Sequence, residues 1–331
     1  MFRVNRLMTT ATMATTTLAT TLILSNNKRN ETLCEDATKN SAFVFVKPHA
    51  NTKKVQNIVK SNFEKKGIKI IKEGELTGEQ IDKDMLIDQH YYAIASKATL
   101  LKPKDLPVPA ALFEKEFGLS WNKALADGIV YNALDACKYL DCTSEQLDAV
   151  WAKSKKVKFG GGFYCGYVEY PGKKGIYVFN AFFMQMRSKF VKPGTSIHYY
   201  VVDFDPNKLS WSDFRGKVLG PTDPKDAPKD SLRGMILNNW ENLDLKEVPN
   251  VGDNGVHASA SPAEGLFERM NWLKVDVNKD EFGAKVISKG VSAKTLKDWS
   301  VDPQVKGKSL FDQLEDMDAD DCIKKMVELS K

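Results

Sequence analysis

Apolar residues along the chain fall into runs of strand and helix period, and their order predicts the elements. Ser41 to Val46 (SAFVFV) is a short apolar run suited to a buried strand. It ends at Lys47-Pro48, where a strand-to-helix turn is expected. Val55, Ile58, Val59 and Phe63 follow at helical spacing up to Gly67, a C-terminal stop, and Ile68 to Ile71 begins a second strand, so the chain opens β-α-β. Gly78 to Tyr92 reads as helical and ends in Gln89-His90-Tyr91-Tyr92. From Ala93 the pattern changes. A Leu/Pro/Lys linker (Leu100 to Pro109) leads into helical stretches through Trp121, Ala124, Leu134 and Cys137. Thr143 with Gln146 makes a capping box for a helix through Leu147, Val150 and Trp151. The segment of about 93–180 reads as a mostly helical insertion ending in a β-hairpin, Gly162 to Asn180, closed around Pro171 to Gly175. Phe159-Gly160-Gly161-Gly162 lacks the spacing of a phosphate loop and reads as a flexible turn.

Ala181 to Lys192 is amphipathic, with Phe182, Phe183, Met186 and Phe190 apolar, and Ser196 to Phe204 (SIHYYVVDF) is a strand by its β-branched and aromatic content. Ser210 with Asp213 caps a short helix, Leu219 to Gly234 is a proline-rich loop, and Asn238 to Val248 is helical in character. The stretch from Val251 to Leu273 carries a histidine just upstream of a marked helix start. Ser261 is a good N-cap, Pro262 suits the first helical position, and Glu264 completes an S-x-x-E capping box. Leu266, Met270 and Leu273 should face a core, and Glu264 and Glu268 the other side. His257 then sits in a loop beside free backbone N–H groups and the positive end of the helix dipole, a setting that favours an anion. Residues 274–331 read as a helical extension of one or two helices, with Lys297 to Asp302 irregular.

Composition adds three things. The formal charge of +5 includes Arg3, Arg6, Lys28 and Arg29, all ahead of the first acid, Glu31; without those four the balance is +1, so nucleic-acid steering loses its support. Residues 1–40 have the arginines, the threonines and the acid-poor start of a targeting presequence, read as mitochondrial with a plastid or secretory route as alternative. Its apolar part is too short to span a membrane. Cys34, Cys137, Cys142, Cys165 and Cys322 form no C-x-x-C pair, and their odd number argues against a complete disulfide framework.

Set in order, Lys47-Pro48, His90-Tyr91, Phe182-Phe183, the loop from Leu219 to Gly234 and Asn254 to Ser261 resemble the motifs of nucleoside diphosphate kinases. Lys47-Pro48-His49 is similar to the family's K-P-D, and Phe182-Phe183-Met184 to the F-F helix that offers an aromatic to the base. Leu219-Gly220-Pro221-Thr222-Asp223-Pro224 with Ser231-Leu232-Arg233-Gly234 is similar to L-G-x-T-N-P and its following arginine. Asn254 to Ser261 (NGVHASAS) is similar to N-x-x-H-G-S-D-S, with the family's later glutamate on Glu268 and its tryptophan on Trp272. Ala258, Ala260 and His49 depart from the pattern, and Arg215 lies one residue from the family's second phosphate arginine.

The resemblance implies an α+β, ferredoxin-like sandwich with an antiparallel four-stranded sheet over 41–273, interrupted at about 93–180 and 235–251, plus the extension. It implies ping-pong transfer from nucleoside triphosphates to diphosphates through phosphohistidine at His257, with Ser259 and Glu268 orienting the ring. Lys47, Tyr91, Phe183, Arg215, Thr222, Arg233 and Asn254 would bind the nucleotide. Mg2+ is expected on the nucleotide, with no metal held by protein side chains. No nucleic-acid partner and no membrane span in the mature chain are expected; a homo-oligomer or a protein assembly stays open. The altered signature and the two additions leave two alternatives: a catalytically inactive subunit or scaffold of a larger assembly, and transfer to a non-nucleotide acceptor.

Overall fold

The computed structural model describes residues 37–331, and Lys39–Lys331 form one unit. The targeting reading of the N-terminus falls almost wholly outside the described residues, as does Cys34. Two four-stranded sheets organise the chain, built from β1 (Asn40–Val46), β2 (Lys69–Thr77), β3 (Val130–Asn132), β4 (Lys156–Gly160), β5 (Phe163–Val168), β6 (Ile176–Phe179), β7 (Ser196–Phe204) and β8 (Val256–Ala258). The first has the order β2-β7-β1-β8 with every pair antiparallel.

Alternation along β1 explains why this sheet has two cores. Ala42, Val44 and Val46 point to one face, where helix α1 (Lys53–Lys65) lays Val55, Val59 and Phe63 against them. Phe43 and Phe45 point to the other, into a cluster with Ile197 and Tyr199 of β7 and with Ile81, Ile87, Phe190 and Trp272. That second face carries helices α2 (Gly78–Lys83), α3 (Leu86–His90), α4 (Phe182–Val191) and α5 (Pro262–Leu273). The single helix expected over Gly78 to Tyr92 is broken because Met85 takes a left-handed conformation (φ 51°) between α2 and α3.

The insertion differs from its sequence reading. It is not mostly helical but mixed, with a second sheet in the order β3-β6-β5-β4, in which β3 pairs parallel to β6. The β5–β6 hairpin is where it was expected, and the glycine run turns the chain from β4 to β5. The helices Ala110–Phe117, Trp121–Ala126, Ala133–Leu140 and Ser144–Lys153 cover the sheet, with Leu147 and Trp151 packed against Val178 on one face and Phe113 and Trp121 against Tyr177 and Phe179 on the other. Strands of three to five residues are too short to show a period, which is why β3 and β4 escaped notice.

Two further expectations are corrected. The helix expected at Asn238 to Val248 lies upstream, at Leu232–Asn238, because Ser231 caps it by accepting from the Gly234 N–H; turns follow. The extension holds four helices (Glu281–Ser288, Ala293–Trp299, Leu310–Leu314, Ala319–Leu329) and a small strand pair, packed on Ala263, Leu266 and Phe267 of α5. Helix α5 is thus covered on two sides, by the sheet through Trp272 and by the extension. No helix among the described residues is long and apolar enough to cross a membrane.

Candidate functional site

His257 is not in a loop but in the middle of β8, directly opposite Phe45 of β1. Antiparallel partners share a face, so the imidazole projects toward α3 and α5 and stacks on Phe45, ring centroids 4.7 Å apart. Three residues of strand at a sheet edge leave too little pattern to read. The cap of α5 holds as expected: Ser261 Oγ accepts from the Glu264 N–H at 3.1 Å. The Glu264 carboxylate, however, reaches back to the Ala260 N–H, one residue beyond the capping-box position.

The orientation of the ring follows from α5. Glu268 stands one turn after Glu264, on the side expected to be polar, and that side faces His257 rather than bulk water. Glu268 Oε1 lies 2.6 Å from His257 Nε2, and Ser259 Oγ donates to Glu268 Oε2 at 2.5 Å. Ser259 is itself fixed by the Phe43 N–H at 2.9 Å. Burial raises the Glu268 carboxyl to about 8, against the Ser259 hydrogen bond and the Arg269 charge that lower it. The tautomer with hydrogen on Nε2 finds its acceptor in Oε1 whether Glu268 is ionised or holds its own hydrogen on Oε2, toward Ser259, whose hydroxyl then turns to the Phe43 carbonyl at 3.0 Å. The proton on Nε2 leaves the lone pair on Nδ1. Burial first, then the charges of Lys47, Arg233 and Arg215, holds His257 well below its ordinary pKa, so the ring is neutral at pH 7.

His257, Thr222, Arg233, Arg215, Glu315 and Asp316 line a cavity of about 510 Å³. Arg233 is fastened by two bonds to the Val256 carbonyl (3.0 and 3.3 Å) and one to the Gly220 carbonyl (2.8 Å). Gly220 needs its left-handed φ of +91° there, and a Cβ would meet Ser231 Oγ at 2.7 Å. Burial lowers Arg233 to about 10, and the neighbouring Arg215 adds to the effect. Arg215 is occupied by the C-terminal extension: its Nη1 bonds Glu315 Oε1 and Asp316 Oδ1, both at 2.7 Å. Burial alone would lower Arg215, but the two carboxylates outweigh it.

A second hollow, about 260 Å³, is lined by Lys47, His49, Tyr91, Phe182, Lys189 and Asp253 among others. Burial, then Arg233, lowers Lys47 to about 8, and its Nζ bonds the Gly252 carbonyl at 3.1 Å. His49 explains its own presence at the end of the strand: Nε2 accepts from the Gly255 N–H at 3.1 Å, leaving Nδ1–H toward Asp253, 3.6 Å away. It therefore ties the start of the chain's first turn to the loop ahead of β8.

One sequence assignment is corrected. Phe183 is 0% exposed and packs in the core of the insertion, so Phe182, which lines the hollow, is the available aromatic. Adjacent helical residues point about 100° apart, and the insertion's own core took one of them. Asn254 is 2% exposed; its amide nitrogen braces the Thr222 carbonyl at 3.0 Å, and its Oδ1 has no hydrogen-bond partner. Residues missed by sequence reasoning are Glu264, Glu315 and Asp316. Two acids one turn apart, Glu264 and Glu268, were a usable signal; nothing in the sequence placed 315 and 316 beside Arg215. Ser259, Glu268, Thr222 and Arg233 lie around His257, and Lys47 and Tyr91 share the second hollow.

No protein-family model matches the chain, and none of the curated proteins matches it. Among solved structures, the chain is similar to a nucleoside diphosphate kinase from Encephalitozoon cuniculi, cubic form, apo, at 15% identity and a TM-score of 0.36, covering 74% of this chain and 97% of that one. It is likewise similar to an NDP kinase from Pyrobaculum aerophilum at 15% identity and a TM-score of 0.36, covering 71% and 96%. Likeness at this level says nothing of activity.

Proposed function

We propose that the chain transfers the terminal phosphoryl group of a nucleoside triphosphate to a nucleoside diphosphate through phosphohistidine at His257, on a ferredoxin-like sheet. The observation that carries this is the bond between His257 Nε2 and Glu268 Oε1, which leaves the Nδ1 lone pair for a cavity lined by Arg215, Arg233 and Thr222. Nδ1 attacks the γ-phosphorus, the P–Nδ1 bond forms as the bond to the bridging oxygen breaks, and the nucleoside diphosphate leaves with the bridging electrons. Reversal onto a second diphosphate restores the neutral ring. The guanidinium of Arg233 and the ammonium of Lys47 offset charge on the transferring group, and the nucleotide brings its own Mg2+. Phe182 offers a π-face to the base and Tyr91 a hydroxyl. The acid-poor start supports mitochondrial targeting, which a fusion of residues 1–40 to a fluorescent reporter tests.

Incubation with γ-labelled ATP should place acid-labile, base-stable phosphate on the protein, and none on His257→Ala. Absence of label where a control kinase is labelled removes the reading. One observation favours a second reading, an inactive subunit of an assembly: Arg215 is already neutralised by Glu315 and Asp316 inside the cavity. In that case no label forms, and restoring Gly at 258 and Asp at 260 does not produce it.

A further inference from the structure

Behind the His257 ring stands a second histidine that the proposed reaction does not use. His90, at the end of α3, meets His257 edge-on with ring centroids 4.6 Å apart. One ring nitrogen from each histidine and a carboxylate oxygen of Glu268 lie within 4.8 Å of one another. Glu268 Oε1 is the shared centre, 2.6 Å from His257 Nε2 and 3.4 Å from His90 Nδ1. The indole N–H of Trp272 points at His90 Nδ1 from 3.4 Å, which marks that nitrogen as a lone-pair acceptor. Two acceptors, His90 Nδ1 and Glu268 Oε1, therefore face each other with no hydrogen placed between them on the histidine side.

From this geometry we propose that His90, His257 and Glu268 form a binding site for a divalent transition-metal ion of the zinc type, and that an ion there shuts off the phosphoryl transfer proposed for His257. The donor set is two imidazoles and one carboxylate, which zinc accepts together with a fourth, open position. Zinc bonds are about 2.0–2.2 Å, so donors in a tetrahedral set stand roughly 3.3 Å apart. The 3.4 Å separation already fits, and the 2.6 Å one needs a small opening. The remaining position has an approach: a cavity of about 350 Å³ is lined by two of the three residues, His90 and Glu268, together with Glu264, Asp84 and Asn271 among others. Ser259, held to Glu268 Oε2, and Phe45, stacked on His257, supply the fixed surroundings that orient ligands.

The inhibitory half rests on the phosphohistidine reading and follows from tautomers. A metal at Nε2 takes the lone pair there, and the proton that Nε2 carried moves to Nδ1. The atom that would attack phosphorus then has an N–H bond in place of its lone pair. Zinc at Nε2 and attack from Nδ1 are therefore competing uses of one ring, which need opposite tautomers.

The test separates the two halves. Purified protein in chelator-free buffer is titrated with Co2+ and followed by its visible absorption, and zinc affinity is read by competition. Tetrahedral cobalt bands with one-to-one stoichiometry are expected, with affinity reduced at least ~10- to 100-fold in His90→Asn, whose fold is checked by its melting temperature. His49→Ala, at a half-buried histidine beside Asp253 and outside the proposed donor set, should bind cobalt as the parent does. Labelling by γ-labelled ATP should be lost on adding zinc to the parent and restored by chelator. In His90→Asn it should persist with zinc present. Cobalt bands that are absent, or unchanged in His90→Asn and in a second variant, Glu268→Gln, overturn the site. If label never forms in the parent while the cobalt bands do, the kinase reading fails and the metal site stands. If zinc binds but labelling is unaffected, the inhibitory half is overturned.

Discussion

Replacing two neighbouring phenylalanines separates binding from packing. Phe183 has no exposed surface and sits among Ala136, Leu140, Leu147 and Val178 in the insertion's core. Truncating such a ring to alanine costs about 3–5 kcal/mol. At about 2–4 °C per kcal/mol for a domain of 150–250 residues, Phe183→Ala should melt roughly 6–20 °C below the parent while keeping the parent's nucleotide affinity below that temperature. Phe182 keeps part of its ring free in the hollow shared with Lys47 and Tyr91, its neighbours being Trp151 at 5.8 Å and Tyr164 at 6.0 Å between centroids. Stacking of a base on an aromatic contributes about 1–3 kcal/mol, so Phe182→Ala should weaken ADP by roughly 5- to 150-fold, and Phe182→Trp should not. Calorimetric titration with ADP and a thermal melt on both variants decide it. Affinity lost in Phe183→Ala at unchanged melting temperature, or retained in Phe182→Ala, refutes the assignment of the two faces.

Glu268→Gln keeps the shape of the side chain but removes the carboxylate that fixes the Nε2–H tautomer, and rapid-quench measurement of phosphoenzyme formation should show a loss of about 10- to 100-fold. Arg187 on α4 bonds the fully buried Asp88 on α3 at 2.9 and 3.0 Å, tying together the two helices that flank the insertion; Asp88→Asn should lower stability by about 3–5 kcal/mol in urea, with much of it regained when Arg187→Met is added. Burial, then the Glu268 charge, raises the Glu264 carboxyl to about 8, so the folded chain holds a proton that the unfolded chain releases. Stability should therefore fall with rising pH toward 8, and because Glu268 is raised to about 8 as well, the combined slope between pH 6.5 and 7.5, above the ordinary histidine range and below the Lys47 value of about 8, should be on the order of 2 kcal/mol per pH unit in EDTA. Urea melts of Glu264→Gln should show a flatter slope; an unchanged one removes the assignment. Glu315→Gln with Asp316→Asn frees Arg215 from two carboxylates, and inorganic phosphate or ADP should bind more tightly by isothermal titration, with an unchanged affinity counting against their competition for the guanidinium.

What was legible in the sequence was what repeats or caps. β7 coincides with the run Ser196 to Phe204 because nine residues show their β-branched and aromatic bias, and α5 starts at Ser261 because a cap, a proline and a glutamate coincide there. β8 and β3, three residues each, carry no period of their own and exist through the strands they join. The contact of His257 with Glu268, 11 residues on, was foretold by the resemblance, which pairs a histidine and a glutamate at that spacing, and not by the local pattern, which put His257 in a loop. Contacts 100 and 101 residues apart, Arg215 to Glu315 and to Asp316, had no such resemblance to announce them. Phe183 was misassigned for a related reason: a family pattern places two adjacent rings relative to one core, and the insertion adds another.

His257 has two ring nitrogens, and the two uses inferred for it divide on which one carries hydrogen. Phosphoryl transfer needs hydrogen on Nε2, and Glu268 Oε1 at 2.6 Å supplies its acceptor. Metal binding needs the opposite tautomer, and the same oxygen, also 3.4 Å from His90 Nδ1, becomes a ligand. Glu268 thus selects between the two states by what lies beside it, a hydrogen or a cation. On the proposed reading Oε1 meets either the Nε2 hydrogen or a metal, and His90, which takes no part in the phosphoryl transfer, is the residue that makes the second state available.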